Sequence, residues 1–563
     1  MRDFIASLLS GPTGLKKVEI LNLIEIPPSS ELGDFAFPCF SLSKKLRESP
    51  VEIAKDLAEK IKPTREIEKI AATGPYINFF INSKKLAESV IKKIQKKREN
   101  YGKLRINEKI LIESPGPNTN KPLHIGHARN IILAQSIKNI MEFAGSKARI
   151  INIVNDRGVH ICKSMLAYEK FGKNQTPEKA KIKSDHFVGD FYVKFSQELS
   201  KNPALESEIQ ECLKKWELGD KKTLAIWKKM NSWALNGFKE TYKKFDLKID
   251  KEYFESKFFK EGKDLILEQL KKGNLKQKSD GAIYADLSKE NLGEKILLRA
   301  DKTSIYITQD IYLAILRHKE FNFDKLIYVV ANEQEHHFKI LFSLLKLFGY
   351  SWADKLFHLN YGLVHLESGR MKSREGNVVD SDDLIENLES LAGKEIESRH
   401  KDLQEKEKKL RAKAIAMSSL RYYFLKIDRI KDMVFKPEES INFEGNTGPY
   451  LLYTYARARS VLRKANYDKK KSFQIFNISS LEKSLILQLA IFPDLISRAY
   501  KNLAPNILAN HVYQIAQIFN ESYHTEKIIN SKEEQFRLAL VDSFTIVLKI
   551  ALNLLNIKVI EKM

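Results

Sequence analysis

Lys109-Ile-Leu-Ile-Glu113, followed by Ser114-Pro-Gly-Pro-Asn-Thr-Asn-Lys-Pro-Leu-His124-Ile-Gly-His127 and then the helix-like stretch Ala128 to Ala144, decides how this chain is to be read. It spells a strand, a sharp loop and the start of a helix. Such a helix presents its unpaired first amides, at the positive end of its dipole, to any anion lying there. Gly126 allows close backbone approach, and His124 and His127, within one turn, add donors to charge that grows on a phosphate. The segment predicts a nucleotide-phosphate site. His-Ile-Gly-His alone is a weak signal, since such histidines also cap helices or fill cores.

Outward from this segment, strand and helix alternate. Ala148 to Val154 reads as the next strand after a helix ending near Gly145, and further strands are expected near Ser304 to Ile307, Lys325 to Ala331 and His358 to Leu366. That alternation predicts a Rossmann-like, doubly wound parallel sheet over residues 105–380. A charged, helix-rich insertion carrying Trp216, Trp227 and Trp233 interrupts it between about Phe187 and Leu298. Residues 1–104 read as a small α/β module. In it Ser49-Pro50-Val51-Glu52, a capping box with proline at N1, opens a helix to about Ile61, and Tyr76 to Ile81 is a strand. The lysine-rich stretch Lys92 to Lys103 closes the module. Beyond Asp380 an N-cap at Ser381 opens a helical connector (381–440) and an all-α bundle (441–563). The expected fold class is α/β multidomain.

The 563 residues carry a net charge of +23, with pI near 9.4. A polyanionic partner and a lysine-rich solvated surface explain that excess equally well. Hydrophobic content of 43% and charged content of 30% suit a soluble globular chain. Cys39, Cys162 and Cys212 lack paired spacing, so neither a disulfide framework nor a cysteine-based metal site is expected, and the chain belongs in a reducing cytoplasm. The N-terminus has no signal-like apolar region, and the apolar tail Leu538 to Ile560 is broken by Asp542 and Lys549, so no membrane span is expected.

Ligands of doubly wound sheets bind beyond the carboxyl ends of the strands. Glu113, Asn155-Asp156, Tyr306 with Asp310, and Asn332-Glu-Gln334 all fall at such ends. The last strand runs into the basic segment Arg370-Met371-Lys372-Ser373-Arg374, suited to closing over a triphosphate. Singly, Asp310 is an ordinary first-turn acid, Gln334 a strand-end cap and the basic segment a solvated turn. Jointly they imply attack at a nucleotide phosphate, where the protein positions groups and stabilises charge. No Gly-x-x-x-x-Gly-Lys-Ser/Thr motif is present, so adenylyl transfer with pyrophosphate release fits better than a nucleotide-driven motor.

Several blocks extend the match over essentially the whole chain: Glu113 to His127, Glu31-Leu-Gly-Asp-Phe-Ala-Phe-Pro-Cys-Phe, Gly74-Pro-Tyr-Ile-Asn-Phe, Glu444-Gly-Asn-Thr-Gly-Pro-Tyr450-Leu-Leu-Tyr-Thr-Tyr-Ala-Arg457 and the terminal Ile560-Glu-Lys-Met563. With these blocks the chain resembles the class I aminoacyl-tRNA synthetases, and among them the arginyl-tRNA synthetases. The resemblance implies that arginine and ATP, with Mg²⁺, form arginyl-adenylate, and that arginine then passes to the 3′-terminal ribose of tRNA(Arg). In this family the first step usually needs bound tRNA. It also implies that Asn118, His124 and Gln334 hold the amino-acid backbone end, while Glu113, Tyr306 and Asp310 face the guanidinium. A planar, permanently charged guanidinium requires such acids.

The class signature loop Lys-Met-Ser-Lys-Ser stands here as Arg370-Met371-Lys372-Ser373-Arg374, its second lysine position taken by Ser373, and Lys121 resembles the family's replacement. His124, His127, Lys121, Arg370 and Lys372 are thus the expected catalytic groups. ATP is expected on His124, Gly126, His127, Met371, Ser373 and Arg374. The bundle would grip the anticodon with Tyr450, Tyr453 and Arg457, although such tyrosines also pack bundles. A monomer is expected. Two rivals stay open: a class I enzyme of neighbouring specificity, such as one for cysteine, and an inactive relative that only binds RNA.

Overall fold

Five parallel strands form the central sheet: β1 (Lys109–Glu113), β2 (Lys147–Val154), β3 (Lys251–Phe254), β4 (Lys325–Ala331) and β5 (Leu356–Tyr361), in the order β5-β4-β1-β2-β3. The computed structural model describes residues 1–301, 303, 305–366, 379–399 and 403–563. Ile110, Leu111 and Ile112 are all buried, as a strand covered on both faces requires. Because β1 is flanked by β2 on one side and β4 on the other, the chain's winding reverses at β1. A doubly wound sheet opens its ligand crevice at that place.

Helix α1 (Ile125–Ala144) follows β1 and stops at Gly145, whose φ of +107° and approach of 2.6 Å from a would-be Cβ to the Ile106 carbonyl leave room only for glycine. Most of α1 is buried. One face of the sheet, α1, the N-terminal module and the C-terminal helices share a continuous apolar core; a second core lies around Leu111, Ile151, Ile311 and Leu344. Directed bonds lock the parts together: Ser136 Oγ donates to the Leu554 carbonyl at 2.9 Å, Tyr101 donates to the Leu489 carbonyl at 2.9 Å, and Arg98 pairs with Asp542 at 2.9 Å.

The N-terminal module holds a three-stranded antiparallel sheet of Phe35–Pro38, Tyr76–Ile81 and Ile67–Thr73. Its helix Pro50–Lys60 is capped by Ser49, whose side chain accepts from the Val51 amide. The C-terminal part is helical: Gly448–Lys464, Ser480–Asn502, Asn506–Thr525 and Glu534–Leu554. Among the described residues, no helix is long and apolar enough to cross a membrane.

Three sequence expectations require correction, and the helix-rich insertion also carries strands. Of the strand expected near Ser304 to Ile307, Ser304 lies outside the described residues, and Tyr306 and Ile307 instead begin a helix, α4 (Tyr306–Phe321), whose first turn is tied down by Thr308 Oγ1 donating to the Leu297 carbonyl at 3.0 Å. The insertion is not simply helical. After helices α2 (Ser184–Lys201) and α3 (Lys221–Lys244) it contributes β3 to the central sheet, then a small antiparallel sheet of Lys276–Gln277, Ile283–Asp286 and Glu294–Leu298. The strand expected over His358 to Leu366 is two strands: β5 ends at Tyr361, while Val364–Leu366 leaves the sheet to pair with Met433–Phe435. Helix α6 (Ser381–Arg399) is capped by Asp380 rather than Ser381, since the Asp380 carboxylate accepts from the Asp382 amide at 2.7 Å.

Candidate active site

A cavity of about 490 Å³ opens at the carboxyl ends of β1, β2, β4 and β5. Its lining includes Glu113, His124, Gly126, His127, Tyr306, Asp310 and Gln334. Seven of the sequence-expected residues, drawn from four separate stretches, therefore meet in one place. Asn118 and Lys121 are outside the lining: Asn118 is bridged through its backbone to Asn155 after β2, while the charge of Lys121 is felt at both His124 and His127. Arg370, Met371, Lys372, Ser373 and Arg374 lie outside the described residues.

The histidine end is built by the start of α1. His124 is the N-cap and folds its ring back, so that Nδ1 accepts from the Gly126 amide at 3.1 Å; His127 Nδ1 accepts from the His124 amide at 3.2 Å. A Cβ at Gly126 would lie 2.9 Å from the His124 ring. A side chain there would push that ring out of place. With each Nδ1 accepting, the proton of each neutral ring resides on Nε2, the nitrogen left to donate. Burial, helped by the positive charge of Lys121, lowers His124 to about 3; burial, then His124 and Lys121, lowers His127 well below the usual range. Both rings are uncharged donors at neutral pH.

The acid end has the opposite character. Glu113, ending β1, is buried against the guanidinium of Arg317 from α4, itself 1% exposed. Burial raises the Glu113 carboxyl and Arg317 opposes that rise, while Glu113 holds the guanidinium charged against the cost of burial. Asp310, one turn into α4, pairs with His337 Nε2 at 2.8 Å from α5 (Glu335–Leu347). Tyr306 lines the cavity, and its hydroxyl is raised well above the usual range by desolvation and then by Asp310, Glu255 and Glu113. Three acids thus act on one phenol.

Glu255 was missed in the sequence because it follows β3, a four-residue strand hidden in the insertion. Burial chiefly, with Asp310 and Asp156 adding, pushes it up to about 7 against the pull of Arg157. Arg317 and His337 were missed as well, having the look of ordinary helix-surface positions; only the fold turns them toward acids. Asn130 on α1 ties the crevice together: it accepts from Ser114 Oγ at 2.6 Å after β1 and donates to the Val329 carbonyl at 2.5 Å in β4.

The expected anticodon residues lie on the helix Gly448–Lys464. Tyr450 is half-buried, its hydroxyl accepting from Asn520 at 2.9 Å and its ring 5.6 Å from Tyr513, so it serves the packing. Tyr453 and Arg457 are different: the guanidinium lies 4.7 Å over the Tyr453 ring and 5.4 Å from that of Tyr523, a ladder of stacking groups with Tyr453 exposed.

Comparison with known proteins now adds to this geometry. Residues 89–436 match the family model for tRNA synthetases class I (R), catalytic domain; residues 2–81 match the arginyl tRNA synthetase N terminal domain; and residues 451–563 match the DALR anticodon binding domain. The chain is 45% identical over 584 residues to the arginine–tRNA ligase of Treponema denticola, covering 100% of this chain and 99% of that one. To the arginine–tRNA ligase of Borrelia duttonii it is 41% identical over 572 residues, covering 99% and 96%. Among solved structures, the arginyl-tRNA synthetase of Thermus thermophilus superposes with a TM-score of 0.85 over 100% of both chains at 24% identity, a likeness of fold.

Proposed function

The chain belongs to the arginyl-tRNA synthetase family of class I, and on that footing we propose that it ligates L-arginine to tRNA(Arg) with ATP through an arginyl-adenylate. In the first step a carboxylate oxygen of arginine attacks the α-phosphorus, forming one P–O bond as the bond to pyrophosphate breaks. In the second, a ribose hydroxyl of the tRNA attacks the arginyl carbonyl and AMP leaves.

The observation that carries this reading is the pairing of an acid end and a neutral-histidine end in one cavity at the sheet's reversal point. Asp310 and Tyr306, with Glu255 behind them, would receive the guanidinium. Glu113, already held by Arg317, would act as a fixed negative charge at the pocket's base rather than as a free fork partner. Gln334 and Asn118 would hold the amino-acid end. The crevice also suits ATP: Gly116, with φ +71°, turns the loop after β1, and His124 and His127 line the crevice with Nε2 the nitrogen left to donate. Those neutral donors would stabilise charge as it grows on the phosphate, assisted by Lys121 and the basic segment Arg370 to Arg374. Mg²⁺ would enter with the nucleotide. The N-terminal module (1–104) would touch the tRNA and the bundle (441–563) its anticodon through Tyr453 and Arg457. The enzyme would work as a monomer in the cytoplasm.

Arginine-dependent exchange of pyrophosphate into ATP, run with and without tRNA, tests the reading. Exchange is expected with arginine and not with lysine, whose ammonium lacks the planar fork. Absence of exchange under both conditions, with tRNA binding intact, would leave a binding module instead.

A further inference from the structure

The backbone that holds His124 is continued by a charged cluster that plays no part in the reading above. His124 forms an antiparallel bridge with Asp380; on either side the Ile125 amide donates to the Val379 carbonyl at 3.1 Å and the Ser381 amide donates to the Leu123 carbonyl at 2.9 Å. Asp380 thus shares a two-strand step with the catalytic imidazole while capping α6. Its carboxylate faces His186 of α2, with Nε2 3.3 Å from Oδ2.

His186 also lies 3.7 Å from Asp382, and Asp382 is the hub of the cluster. Lys183 Nζ reaches Asp382 at 2.6 Å, Asp185 at 3.0 Å and Thr241 Oγ1 at 2.6 Å; Lys244 reaches the other Asp382 oxygen at 2.9 Å; and Thr241 donates to Asp382 at 2.9 Å. Asp185 is wholly buried, seated over Gly237 of α3, where a Cβ would come within 2.3 Å of its carboxylate. Asp185, His186 and Asp382 offer ligand atoms within 4.8 Å of one another. A cation, however, is already supplied by the protein, since Lys183 bonds both carboxylates. Burial opposes the proton on His186, but Asp380 and Asp382 prevail and raise it to about 10, so an imidazolium faces Asp380 at neutral pH.

We propose that Lys183, His186 and Asp382 are positioning residues that clamp the insertion helices α2 and α3 onto the start of α6, and through Asp380 fix the backbone and ring of His124. The inference rests on His124 acting at the reacting phosphate. A buried ionic cluster is poor evidence for stability but strong geometric constraint, because each charge is costly unless every partner keeps its place. Displacing a reacting group by about 1 Å can cost on the order of 10²-fold in rate.

The test is His186→Gln, a change at a half-buried side chain, beside Asp382→Asn in the full chain. With tRNA present, His186→Gln is expected to lower kcat for arginine-dependent exchange by about 10- to 100-fold, with the KM values for arginine and ATP within about twofold and the thermal midpoint and tRNA affinity retained. Asp382→Asn is expected to lower kcat further; if it does not fold, His186→Gln decides alone. Wild-type kcat in His186→Gln would overturn the proposal, as would a fall in kcat that tracks a lost thermal midpoint and raised KM values. Exchange by the wild-type enzyme with an unaffected variant rejects this inference only; an inactive wild type rejects the functional reading beneath it.

Discussion

Two parts of one cavity handle charge in opposite ways. At the acid end, Glu113 and Asp310 each already hold a basic partner, Arg317 and His337, and Glu255 stands behind them on Arg157. At the histidine end, His124 and His127 are kept uncharged by burial beside Lys121 and are oriented through their Nδ1 atoms by backbone amides. The difference matches two tasks. A guanidinium is charged before, during and after reaction, so a site for it needs acids, and the guanidinium groups of Arg317 and Arg157 make buried acids tolerable. Charge on a phosphate grows only as the reaction proceeds, so neutral, fixed donors favour the transition state without overbinding the reactant.

Removing a donor from the histidine end should have the largest effect. His124→Ala is expected to lower kcat for exchange by about 10²- to 10³-fold while the arginine KM stays within about twofold. A raised KM with kcat intact would erase the distinction between the two ends. Next is the acid end: Asp310→Asn should lower kcat/KM for arginine by roughly 10²-fold, mainly through KM, with the KM for ATP unchanged. Unaltered arginine kinetics would reject Asp310 as a guanidinium partner.

The smallest effect separates the ends by pH. Glu255, raised to about 7, is a carboxylate above that value and neutral below it. The arginine KM should therefore rise as pH falls from about 8 to about 6, by roughly two- to fivefold, the size of a partly solvated charge interaction. In Glu255→Gln the KM should be high and flat over the same range. Because His124 is lowered to about 3, kcat should show no histidine step near the ordinary value of about 6.5. Such a step, abolished in His124→Ala, would mean that the ring works as an imidazolium.

The histidine end was readable from a single local segment, because a strand, a loop and a capped helix lie within Lys109 to Ala144 and their geometry is set by near neighbours. Lys325 to Ala331 was equally plain as a continuous apolar run. The acid end was readable only in part. Asp310 stands out in the sequence, but beside an expected strand where Tyr306 instead begins a helix; Ile305, Tyr306 and Ile307, two β-branched residues and one aromatic, express a weak strand preference that tertiary context overrode. Glu255 was lost with β3, since Lys-Glu-Tyr-Phe has too few residues to stand out from the helices around it.

By itself the sequence determined the central fold type, the turn from β1 into α1 and the identity of most residues that line the cavity there, because those follow from hydrophobic period, capping and short-range spacing. Tertiary structure alone decided which base each acid meets: Glu113 meets Arg317 across 204 positions of chain (317 − 113), Asp310 meets His337, and Asp380 meets His186. A carboxylate's charge and reach depend on what is packed within a few ångströms, and nothing local in the chain records who that neighbour will be.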